Sequence, residues 1–160
     1  MLMPFTIQIC KDVINEDFCA LFAMGLRRGI SWPDTDVLET MPKIISNLSG
    51  VEAPTGYESW MVIKKDSLEI IGDLGFKGFN HEQQNVDLGY GIIEEERRNG
   101  YAEEAARGLI KWVFSQAFVK EITARCRVNN AASINLLKKS NFTEVKQDNE
   151  MVYWSLTLPR

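Results

Sequence analysis

The stretch NVDLGYGIIEEERRNGYAEEAARGLIKWVF, residues 85–114, leaves this chain little freedom in how it folds. An apolar segment that reads as a strand, punctuated by Gly89 and Gly91, passes through a charged turn and straight into a helix. From Tyr101 onward Ala102, Ala105, Ala106, Leu109, Ile110, Val113 and Ala117 recur at i, i+3, i+4 and i+7, the apolar stripe of an amphipathic helix. Glycine inside a strand marks a bulge or the close approach of another backbone or a ligand. A helix N-terminus carries free backbone N–H groups and about half a positive charge, so a strand-turn-helix junction with glycine at the turn is an anion site in form. Here Gly100 lets the backbone approach a phosphate or take positive φ, while Arg97 and Arg98 supply mobile positive charge for an extended polyanion such as pyrophosphate. A plain structural reading also stands: Gly100 eases a turn, the arginines offset Glu94 to Glu96, and Glu103 and Glu104 satisfy the helix dipole. Other phosphate fingerprints fail, because GDLGFKG does not precede a helix as GxGxxG and no GxxxxGK[ST] occurs.

The remaining elements fall around this junction. FTIQIC alternates and predicts a first strand, and EDFCALFAMGL places Phe18, Leu21, Phe22 and Leu26 on one helical face. SWPDTDVLETMPKIISNL predicts a helix capped by Asp34 or Thr35, with Val37, Leu38, Met41, Ile45 and Leu48 at helical spacing and Pro42 kinking or splitting it. SWMVIKK and SLEIIGDLGFKGF predict a hairpin joined near Lys65-Asp66-Ser67. EITARCRV predicts a strand, NNAASINLLKKSNF a short helix capped by Asn129 or Asn130, and EVKQDNEMVYWSLTL a closing hairpin about Asp148-Asn149. The order predicts an α+β, or three-layer α/β, single domain over residues 1–160 around one mixed sheet flanked by helices. The apolar final hairpin fits pairing across a homodimer and burial against its own sheet equally well.

Composition closes off several functions. Net charge is −4 with no basic patch, which disfavours nucleic acid as a partner. No apolar run reaches membrane-spanning length and no signal-peptide pattern opens the chain, so the expectation is a cytoplasmic protein that does not engage the membrane. Cys10, Cys19 and Cys126 are widely spaced inside apolar stretches and read as buried thiols, and His81 sits in a polar loop without partners at metal or triad spacing. No metal is expected.

At Arg97 to Ala102 the chain resembles the GNAT superfamily of acyl-CoA-dependent N-acetyltransferases, whose signature is Gln or Arg, two residues, Gly, one residue, Gly or Ala. A second match lies downstream, where Asn130, Ser133 and Phe142 fit that family's Asn-x-x-Ser/Ala and closing Gly-Phe, with Asn141 in place of the glycine. VDLGYGI before the loop is most similar to the ribosomal-protein N-terminal, or Rim-type, branch. The resemblance implies a mostly antiparallel sheet with two strands splayed at the cofactor site, and acetyl-CoA as co-substrate. It assigns the cofactor to Ile92, Ile93, Arg97, Arg98, Asn99, Gly100, Tyr101, Ala102, Asn130 and Ser133, and places a strand bulge at Gly89 and Gly91.

Acetyl transfer to an amine needs a neutral nucleophile, oxyanion donors and a proton for the departing thiolate. A lysine-like amine is neutral in only about one molecule in 2,000 at pH 7, an α-amine in about one in ten. Asp87 stands where relatives carry a glutamate base, and is shorter, so it would act through a relayed water. Leu137 occupies the place of the family's usual tyrosine acid, which leaves Ser133 to serve the sulfur; as a serine at N3 it also reads as part of a cap. Backbone amides near Tyr90 to Ile92 are expected at the oxyanion. Of Trp32, Tyr57, Trp60, Phe76 and Phe79, core packing accounts for most, and Trp32 is the one expected at an acceptor groove. The implied activity is direct acetyl transfer to a peptide α-amine or a small-molecule amine; the alternative is a non-catalytic acyl-CoA-binding module or sensor.

Overall fold

Thr6 decides how the chain enters its fold. In the computed structural model, which describes residues 1–158, its hydroxyl accepts the Ile9 amide at 3.1 Å and starts helix α1 (Ile7–Ile14). The strand predicted for FTIQIC is therefore a helix: Ile9, Cys10 and Val13 share its buried face, and that 3.6-residue period outweighs the short alternation read from Phe5. The first strand, β1 (Leu2–Pro4), lies just before it and pairs antiparallel with β3. The next predicted helix shrinks to α2 (Cys19–Ala23), with Leu21 and Leu26 buried but Phe22 53% exposed, followed by a two-residue strand β2 (Arg27–Arg28). Cys19 is exposed, against expectation, whereas Cys10 and Cys126 are buried.

Helix α3 (Thr35–Ser49) opens on Asp34, whose carboxylate accepts the Val37 amide at 2.9 Å. It runs through Pro42 without splitting. Pro42 and Leu38 are both exposed, so the Leu38 carbonyl left without an i+4 donor faces water. The buried stripe is Val37, Met41, Ile44 and Leu48, rotated from the predicted one so that Leu38 points outward. Asp34→Ala should cost about 1 kcal/mol through the lost cap, and about 2 to 4 °C in melting temperature, whereas Asp34→Asn should keep most of it.

Strands β3 (Ser59–Ile63), β4 (Glu69–Phe76), β5 (Asn85–Ile92), β6 (Glu121–Arg127), β7 (Thr143–Gln147) and β8 (Met151–Thr157) join β1 and β2 in one sheet of order β1-β3-β4-β5-β6-β8-β7, with β2 alongside β4. Neighbours are antiparallel except β5–β6 and β2–β4. The sheet is thus mixed and mostly antiparallel, as expected. Helix α4 (Tyr101–Phe114) forms the crossover between the parallel pair and packs on β4 and β5 through Ala106, Leu109 and Val113, while α5 (Ala131–Lys139) anchors by Leu137. Each such buried Leu or Val contributes about 1.5 to 3 kcal/mol. Strand β8 is paired on both sides, so the apolar MVYWSLTL is used inside its own sheet and β7 forms the edge.

Candidate active site

Strands β5 and β6 run in register from Asn85↔Glu121 to Leu88↔Ala124, and there their pairing ends. Beyond that point β5 stays on β4 as far as Ile92, and β6 stays on β8 as far as Arg127. The sheet parts between Gly89–Ile92 and Arg125–Arg127. No register shift interrupts β4–β5, so the expected bulge at Gly89 and Gly91 is absent, and the glycines border the gap instead. The Ile93 amide donates to Ile71 of β4; strand amides alternate sides, which turns the Tyr90 and Ile92 amides toward the gap.

Tyr90 faces the α5 side. Its buried hydroxyl lies beside Ser133 without completing a hydrogen bond, and burial raises its pKa, offset in part by Ser133 and reinforced by the nearby Cys126. The phenol therefore keeps its proton near neutral pH. Asn130 caps α5 by accepting the Ser133 amide at 3.1 Å, which leaves the Ser133 hydroxyl unused by the cap. Leu137 is fully buried in the core and cannot substitute for the missing tyrosine. The sequence marked the Tyr90 backbone but not its phenol, because nothing in a strand pattern says which side chain on another element that phenol will meet.

At the mouth of the gap the chain makes a 3₁₀ turn, Glu94–Glu96, then the loop Arg97–Gly100. The glutamates are not a purely solvated run: Glu95 accepts from Ser31 at 2.6 Å and Glu96 pairs with Lys64 at 3.2 Å. Arg97 Nε donates to the Ile92 carbonyl at 2.8 Å, tying the loop to the end of β5. Arg98 and Gly100 both take positive φ, 66° and 79°. Gly100 is the N-cap of α4, no side chain caps the helix, and the first backbone bond is Glu104 N–H to Gly100 O, so the amides of the first turn are open. A Cβ at Gly100 would meet nothing within 4 Å. Open amides, two arginines and unobstructed space fit a pyrophosphate.

On the other face of the sheet a cleft of about 390 Å³ lies between α3 and β4–β5, bordered by Lys43, Asp73, Lys77, Gly89 and Tyr90. Asp73 pairs in register with Gly91, and an added Cβ on Gly91 would come within 3.6 Å of its carboxylate. Among the described residues no other group donates a hydrogen bond to that carboxylate. Although partly accessible from the cleft, it is hemmed in by protein, and burial, with Asp34 and Asp36 adding repulsion, pushes its pKa up to about 7. A carboxylate inside the otherwise apolar run IIGDLGF was the available signal for it. Asp87 lies on the same face, four residues along β5 from Gly91, bonded to Lys77 at 2.5 Å and Thr123 at 2.8 Å. Trp32 is 2% exposed and edges a small adjoining cavity with Asp73 and Arg97, rather than the larger cleft. Among the described residues no cluster of His, Cys, Asp and Glu could hold a metal, and no helix is long and apolar enough to cross a membrane.

A sheet parted beside an open helix N-terminus is the arrangement of an acyltransferase that uses acyl-coenzyme A. The chain belongs to the GNAT acetyltransferase family, whose domain matches residues 13–143. It is 32% identical to the uncharacterized N-acetyltransferase YjdG of Bacillus subtilis over 96% of this chain and 91% of that one. In structure it resembles the ribosomal-protein α-N-acetyltransferase RimL in complex with coenzyme A, with TM-score 0.70, 16% identity and coverage of 98% and 93%. It also resembles the microcin C7 self-immunity acetyltransferase MccE in complex with acetyl-CoA and AMP, with TM-score 0.65, 15% identity and coverage of 98% and 91%. The protein is an acetyl-CoA-dependent N-acetyltransferase by family.

Proposed function

We propose that this protein transfers acetyl from acetyl-CoA directly to a primary amine, without a covalent enzyme intermediate. The observation that carries the reading is the end of β5–β6 pairing at Leu88↔Ala124, next to the uncapped start of α4. The amides of residues 98–102 and the two arginines hold the pyrophosphate, and the pantetheine arm enters the gap along Ile92 and Ile93 toward Asn130 and Ser133. Bound there, acetyl-CoA supplies an activated thioester. The Tyr90 and Ile92 amides face the place where its carbonyl oxygen gains charge, and a fixed donor at such a place accelerates by about 10² to 10³. The Ser133 hydroxyl gives a proton to the departing sulfur, with the Tyr90 phenol beside it. The acceptor reaches the thioester from the opposite face, through the cleft under α3, past glycines that have no side chain to block it. The fold neighbours include acetyltransferases named for a ribosomal-protein α-amine and for spermidine, and an acceptor that is a peptide or small-molecule amine is in keeping with them.

Acetyl-CoA at ten times its Kd should stabilise the protein by about 1.4 kcal/mol. Differential scanning fluorimetry reads this directly, and no shift at saturation sinks the donor site. A stabilised protein that releases no coenzyme A with any amine would be a binding module instead. Ser133→Ala should lower kcat by about 10-fold to 100-fold with little change in acetyl-CoA affinity, and Ser133→Ala combined with Tyr90→Phe should lower it further, as expected for two donors at one sulfur.

A further inference from the structure

We propose that Asp73 is the general base of the transfer, taking its proton from an acceptor of the α-amine type that enters end-on through the cleft between α3 and β4–β5. The inference rests on the donor site described above.

Three observations converge on Asp73. It borders both the main cleft and the small cavity beneath Trp32, opposite Gly91 at the edge of the parted strands, so a nitrogen approaching the thioester from the α3 face passes it. Among the described residues its carboxylate takes no hydrogen bond from another residue, whereas Asp87 is engaged by both Lys77 and Thr123. The groups around it are set for a base: Asp34 and Asp36 approach from the start of α3 and disfavour its charge. Arg97 also borders the small cavity, but its Nε is committed to the Ile92 carbonyl. Lys43 and Lys77 stand on the walls of the larger cleft, Lys77 paired with Asp87, and the Tyr90 side chain points to the other face.

The acceptor class follows from matched proton affinities. A carboxylate titrating about 7 takes a proton from an α-ammonium near 8 with little penalty, whereas a lysine-like or polyamine nitrogen at about 10.4 lies more than three units uphill. Lys43 on the cleft wall adds repulsion for a polycation. In the full step the ammonium gives one proton to Asp73, which passes it to solvent. The nitrogen lone pair forms the C–N bond, the C–S bond breaks, and the second nitrogen proton replaces the one Ser133 delivers to sulfur.

The test uses the full-length protein, acetyl-CoA, and a tripeptide pool carrying each of the twenty residues at its N-terminus, with α-acetylation read by mass spectrometry and spermidine as the competing amine. Asp73→Asn should lower kcat/KM for the best tripeptide about 100-fold or more and remove the inflection near pH 7, leaving only that of the peptide amine. Its acetyl-CoA Kd, by calorimetry, should stay within about twofold, because among the described residues the Asp73 carboxylate makes no hydrogen bond or ion pair with the loop, whose Arg97 Nε is held by the Ile92 carbonyl. Asp87→Asn should lose less activity and keep the inflection. A second readout needs no acceptor. A carboxyl raised in the folded state supports folding below its unfolded pKa and loses that support as pH rises through about 7. Asp73→Asn should therefore raise the melting temperature of the ligand-free protein at pH 8.5 and not at pH 4.5. Asp34→Asn, which keeps the cap, should move the activity inflection to lower pH. Intact acetyl-CoA binding with an unchanged Asp73→Asn profile, a larger loss in Asp87→Asn, spermidine used as readily as the peptides, or no α-acetylated peptide would each overturn the proposal. Absence of acetyl-CoA binding to the unaltered protein would instead remove the donor site.

Discussion

Gly100→Asp is expected to weaken acetyl-CoA binding by about 100-fold, or about 2.8 kcal/mol, in a protein that still folds. Gly100 sits at φ 79° as the N-cap of α4, and its absent side chain opens onto free space rather than onto protein. Nothing in the packing resists an aspartate there. Aspartate is among the few residues that visit the left-handed region, at about 1 to 2 kcal/mol, and in exchange it offers the open amides an intramolecular carboxylate. That carboxylate would occupy the donors and repel the pyrophosphate. The ligand-free melting temperature should fall by no more than about 8 °C, while calorimetry should show the collapse of affinity. Gly100→Asn, with the same shape and no charge, should fall between the two proteins. Unchanged affinity in Gly100→Asp would mean that the anion is held elsewhere.

Gly72→Ala should damage both the sheet and the donor site with a single methyl. A Cβ at Gly72 would collide with the carbonyl oxygen of Gly91 on β5 and come within 2.8 Å of Ile92 Cδ1. The first of these is backbone, so no rotamer change relieves it, and β5 must move off β4. Overpacking of this kind costs about 3 kcal/mol, which lowers the melting temperature by about 6 to 12 °C in a protein of this size. The displaced residues, Gly91 and Ile92, border the gap that receives the pantetheine arm, so acetyl-CoA affinity should fall about tenfold as well. Gly78→Ala is a useful contrast: its φ is 93° but its Cβ would touch nothing, so strain alone should give a smaller loss and no change in affinity. A neutral Gly72→Ala would show that the strands are spaced more loosely than their carbonyls indicate.

Among the elements, those with a long periodic pattern, a capping residue or a clear turn signal were legible. Helix α4, α5 behind Asn130, and both hairpins stand where their residues placed them. FTIQIC misled because five or six apolar-alternating residues fit either period, and the Thr6 cap carries the deciding information. Pro42 misled because its cost depends on whether the orphaned carbonyl meets water, which is a matter of which face turns outward.

The same division runs through the site. Local chemistry alone determined the donor loop: an arginine pair, a glycine and the start of an amphipathic helix carry their amides and charge with them wherever the chain places them. Only the tertiary structure decided where β5 leaves β6, that Tyr90 reaches Ser133 from another element, and that Asp73, rather than a charged residue on the parted strand, lies under α3 with no partner among the described residues. Strand register, desolvation and the approach of Asp34 and Asp36 are sums over residues distant in sequence, and no window along the chain contains them.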